Sequence, residues 1–111
     1  MKEFIDYLSQ RIEACKEEIA GLEKSGRQDD ADFAKVRLNI YTICRTVTDA
    51  LQDRPGAGAG AVKAQLERFR TEWSAALDRA REHDETRNSV VAEVRMEALG
   101  DVIAHFPEEE K

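Results

Sequence analysis

The chain has 111 residues, 41% of them hydrophobic and 36% charged, with a formal net charge of −6 and only 2 prolines and 6 glycines. That length accommodates one hydrophobic core rather than two, and so few turn-forming residues argue against a sandwich or barrel of many short strands. The acidic balance, without a dense Lys/Arg cluster, argues against nucleic acid and anionic membranes as direct partners.

Residues 2–24 carry Ile5, Leu8, Ile12, Cys15, Ile19 and Leu22 at alternating spacings of three and four, the seam of a heptad pattern on a helix. Glu3 and Asp6 interrupt the apolar stretch that a secretory signal would need here, so the expected location is cytoplasmic. The run "KSGRQDD" breaks the pattern, with Gly26 placed as a C-terminal cap and Asp29 or Asp30 as the cap of the next helix.

That second helix is expected to run to about Asp53, with Phe33, Val36, Ile40, Ile43, Val47 and Ala50 as its stripe. Folding the two stripes antiparallel brings Leu22 to Phe33, Ile19 to Val36 and Cys15 to Ile40, with the symmetry point inside the predicted turn. The expectation is a helical hairpin over 2–53. A second apolar line, Ala34, Leu38 and Tyr41, lies well away from the first. A helix apolar on two sides is central in its fold or covered by another chain, so these three residues are the candidate interface.

Residues 54–61, "RPGAGAGA", read as a flexible linker. They lack the spacing and the Lys-Ser/Thr ending of a phosphate-binding loop, and no strand leads into them. A third helix is expected from Ala61, with Val62, Leu66, Phe69, Trp73, Ala76 and Ala80 along one side. Apolar residues return from Val90 to Phe106, before Pro107 and an acidic tail over 107–111. Folding this half back pairs Leu66 with Phe106 and Trp73 with Leu99, and centres a turn on residue 86, inside "REHDETRNS". Asn88 or Ser89 then caps the fourth helix. The competing reading is one continuous helix of ~65 Å from 61 to about 105, because the segment has neither glycine nor proline. The expected fold is therefore all-α in a single domain. It is an antiparallel bundle of two hairpins with coiled-coil-like packing, holding four helices or three with one long third.

Chemistry is sparse in these residues. His83, Asp84 and Glu85 are adjacent and point in different directions, whereas a metal site needs ligands that converge. Glu93, Glu97, Asp101 and His105 recur every four residues and read as a solvated line along the fourth helix. The metal candidates are thus His83, Asp84, Glu97, Asp101 and His105, and the expectation is no metal and no cofactor. No serine lies in a nucleophile elbow, and Cys15 and Cys44 fall on apolar stripes where burial discourages the thiolate. The sequence points to a non-catalytic interaction module, self-associating as a homodimer or binding another protein. The alternative is a bundle that binds a metal or small ligand through the acidic and histidine residues of 82–105.

Overall fold

The computed structural model describes residues 1–56 and 58–107, which form four α-helices: α1 (Lys2–Lys24), α2 (Gln28–Gln52), α3 (Gly58–Glu82) and α4 (Thr86–Ala104). Ala57 in the expected linker and Glu108–Lys111 of the acidic tail lie outside the described residues. The bundle is all-α, as the periodicity predicts.

The two hairpin turns use one device. After α1, the Arg27 N–H donates to the Leu22 carbonyl at 2.9 Å and the Gly26 N–H to the Glu23 carbonyl at 3.1 Å. Gly26 sits at φ 76°, the left-handed position that ends many helices. After α3, the Glu85 N–H donates to Ala80 at 3.0 Å and the Asp84 N–H to Arg81 at 3.2 Å, and Asp84 takes φ 56°. "REHDETRNS" therefore holds a turn, and the continuous long helix is ruled out. Asp is among the few non-glycine residues that enter this conformation with any frequency, which is why a turn forms there without glycine.

Three boundary expectations are corrected. Helix α3 begins at Gly58 instead of Ala61, because Gly58 at φ 68° turns the chain directly into the helix and Ala59 and Ala61 favour its continuation. The residue before α2 is Arg27, and Asp29 and Asp30 lie within its first turn, where their charge meets the positive end of the helix dipole. The residue before α4 is Glu85, and Asn88 and Ser89 lie inside the helix, where Ser89 Oγ donates to the Thr86 carbonyl.

Packing places α2 at the centre, in contact with α1, α3 and α4, while α3 and α4 pack on each other. The molecule measures 46 × 35 × 21 Å, and its thin dimension is about two helix diameters, so the helices lie in two layers. The core gathers at the linker end, where Phe4 and Leu8 of α1 join Ile40 and Cys44 of α2, Val62 and Leu66 of α3, and Leu99 and Val102 of α4. Toward the two turns the buried positions are alanines, Ala31, Ala34, Ala80 and Ala92. Thr48 is the one buried polar residue among those described, and its hydroxyl donates to the Cys44 carbonyl at 2.7 Å. Such back-bonding within the helix lets a hydroxyl enter an apolar core without an orphaned donor.

Candidate functional site

The densest polar constellation lies at the linker end, where α1 meets α4. Two hydroxyls converge on one carboxylate oxygen: Tyr7 and Tyr41 each donate to Asp101 Oδ2 at 2.6 Å. The three residues come from α1, α2 and α4, so the carboxylate joins three helices. His105, one turn after Asp101, lies flat on the Tyr7 ring with centroids 3.9 Å apart and planes 12° apart. Its Nδ1 is 2.9 Å from the Asp101 carbonyl and 3.4 Å from Asp101 Oδ1. Arg11 stands with its guanidinium 5.3 Å from the centre of the Tyr41 ring, and its Nε is buried without a hydrogen-bond acceptor among the described residues. Phe4 and Phe106 close the corner edge to face at 5.1 Å.

Burial alone pushes the Asp101 carboxyl up, but the two tyrosine hydrogen bonds, with His105 and Arg11 nearby, outweigh it and hold the group below the usual carboxylate range. The tyrosines move the other way. Burial, and then donation to Asp101, lifts Tyr7 to about 12, and the same two causes raise Tyr41. A carboxylate this reluctant to take a proton and phenols this reluctant to lose one are poorly matched to proton transfer near neutrality. What the arrangement does well is hold: charge-assisted O–H···O bonds of this length are strong and directional.

The metal candidates fall in three places. Asp101 and His105 are brought together, but one oxygen of Asp101 is occupied by two hydroxyls. Glu97, one turn before Asp101, is exposed. His83 and Asp84 lie at the opposite end of that helix, ~28 Å away along 19 residues. Among the described residues no three His, Cys, Asp or Glu side chains gather as a metal site would require. Glu93 pairs with Arg81 at 2.8 Å across the α3–α4 hairpin. The expectation that Asp101 is a solvated residue is corrected, since it is the anchor of a contact between three helices.

The candidate interface residues Ala34, Leu38 and Tyr41 lie within the packing of the chain itself. Ala34 and Tyr41 are buried within the chain and Leu38 is half-buried against the core. The physical reason is the central place of α2, whose second apolar side is needed to meet the other hairpin. Tyr7 and Arg11 were missing from the sequence reading; the signal available was that Phe4, Leu8 and Cys15 form a line at spacings of four and seven, with Tyr7 and Arg11 beside it.

Both thiols are unpaired and buried. Burial raises Cys44 to about 12, and burial raises Cys15 despite the nearby Arg11 and Arg37, so neither is activated as a nucleophile.

Two open clefts flank the α3–α4 hairpin. One, of about 360 Å³, lies between Lys63, Leu66 and Arg70 of α3 and Ile103, Phe106 and Pro107. The other, of about 350 Å³, lies near the turn between Arg79 and His83 on one side and Val91 and Arg95 on the other. Between them along the hairpin, Phe69 and Trp73 stack in parallel, 4.8 Å apart and 2° from coplanar, and the Arg95 guanidinium sits 5.8 Å from the Trp73 ring centre. Both aromatics and Arg95 are only half-buried.

No protein-family model, curated protein or solved structure matches this chain. No helix among the described residues is long and apolar enough to cross a membrane.

Proposed function

We propose that the chain is a small non-catalytic interaction module that associates with a second copy of itself through the α3–α4 hairpin. The observation that carries this reading is the partly buried Phe69–Trp73–Arg95 stack, which keeps an edge in solvent. Tryptophan and arginine are the residues most enriched where protein contacts concentrate their energy, and here they are already ordered against each other before any partner arrives. The surrounding charged pairs, Arg70 with Glu67 and Arg81 with Glu93, supply the polar rim that such contacts carry. A two-fold contact presents the same patch from both copies, so a single face with both charges is suited to it. The two buried, unbridged thiols fit a reducing compartment, and we place the module in the cytoplasm.

The test is the absolute mass in solution across a wide concentration range, for the wild type and for Arg95→Glu. The expected result is a mass rising toward twice the monomer, with Arg95→Glu weakening association by about tenfold or more, since a desolvated cation–π contact and a reversed charge together exceed about 1.4 kcal/mol. A monomer at every concentration would contradict self-association, and an unchanged dimer in Arg95→Glu would place the contact elsewhere.

A second reading, small-ligand binding, is favoured by the cleft near the turn, where Arg79, His83 and Arg95 line one space. It takes an anionic ligand better than a metal, because its cationic groups outnumber its acids, represented by Glu85. Stabilisation against heat by small carboxylates, lost in Arg79→Ala, would support it.

A further inference from the structure

The corner at Asp101 is the place where α1 reaches the second hairpin. Along its length α1 packs on α2, and it meets α4 and the segment after it through Tyr7, which touches Asp101 and His105, and through Phe4, which touches Phe106. The seam between α2 and the second hairpin is made differently. Tyr41 also donates to Asp101 across it, and Ile40, Cys44, Leu66, Leu99 and Val102, all buried, hold the rest of it by apolar packing. The polar contact at Asp101 therefore adds to the apolar packing of Phe4 and Leu8 where α1 meets the second hairpin, while most of the α2 seam stands on apolar packing.

We infer that Asp101 is a proton-operated latch that closes the N-terminal end of α1 onto α4. As an anion, Asp101 accepts from Tyr7 and Tyr41 through the same oxygen, at 2.6 Å each. The charged group that faces it is Arg11 from α1, and the titratable neighbours are Tyr7 from α1, Tyr41 from α2 and His105 from α4; among the described residues α3 contributes none. A protonated carboxyl loses the charge that strengthens both hydroxyl bonds, together with the attraction of Arg11 and His105. The latch thus holds above the ordinary carboxylate range and releases as pH falls through the depressed value of the folded state. Release bares Phe4 and Leu8, both buried in the closed form, while the α2–α3–α4 seam persists.

Hydrogen–deuterium exchange, corrected for the pH dependence of intrinsic exchange, separates local release from general unfolding. In Asp101→Asn at neutral pH, the segment from Phe4 to Ser9 is expected to lose protection by about tenfold or more, equivalent to about 1.4 kcal/mol. The segment from Val62 to Leu66 should keep its protection. Wild type in acid should show the same local loss, and Asp101→Asn should show no further acid step in that segment. Tyr7→Phe, which keeps the ring and removes one donor, should reproduce the pattern at smaller amplitude if the asparagine variant folds poorly. Equal loss across all four helices, no loss at all, or an acid step that survives in Asp101→Asn would each overturn the latch.

Discussion

Phe4→Ala is expected to lower the free energy of unfolding by about 3–5 kcal/mol, the range for removing a fully buried aromatic side chain. Phe4 is 2% exposed in the first turn of α1, close to an end where fraying would normally make a substitution mild. Here the end is tied down. Phe4 stands edge-on to Phe106 at 5.1 Å, a geometry that adds about 0.5–1.5 kcal/mol beyond area alone. It belongs to the same cluster as Leu8, Val62 and Val102, all 0% exposed. Urea unfolding followed by helical signal gives the number directly, as a lower midpoint at unchanged slope. A loss below about 1 kcal/mol would be the signature of a surface residue and would contradict the closed corner.

Leu99→Ala should cost about 2.7–5 kcal/mol. Leu99 is 0% exposed on α4 and sits in the cluster that α1, α2 and α3 also enter, so the cavity it leaves is walled by several helices and cannot collapse around one. The pair of variants says more than either alone. Phe4 lies in the first hairpin and Leu99 in the second, yet both belong to one cluster. Each substitution should shift a single cooperative transition seen by every probe. Two transitions, one moved by Phe4→Ala and the other by Leu99→Ala, would show hairpins that fold separately.

The hairpins were legible because periodicity is a local property. The stripes on the first two helices and on the last two each fold back onto a symmetry point within about two residues of the positions, Gly26 and Asp84, where the chain reverses. What was not legible depends on how helices are rotated against one another. Glu93, Glu97, Asp101 and His105 look like one line, but steps of four residues advance ~40° each on a helix of 3.6 residues per turn, so the line turns by ~120° over its length. Glu97 stays in solvent while Asp101 and His105 come round to face α1. The same limitation hid the role of Tyr41. Its apolar line on α2 was visible, but only the layout shows that the second hairpin of the same chain covers it. Phe4 was passed over in favour of Ile5, which is only half-buried; a heptad seam drawn through Leu8 fits either neighbour, and the choice is made by Phe106, about a hundred residues away.

The most direct test of the proposed association uses Trp73, the only tryptophan in the chain, as its own reporter. Its emission and its quenching by acrylamide should be recorded over a dilution series spanning the concentrations at which the mass changes. If two copies meet on the α3–α4 hairpin, the emission shifts to the blue and quenching falls as concentration rises, and both changes disappear in Arg95→Glu. Emission and quenching that stay constant while the mass doubles would contradict the account, because the copies would then be meeting on a face that leaves Trp73 untouched.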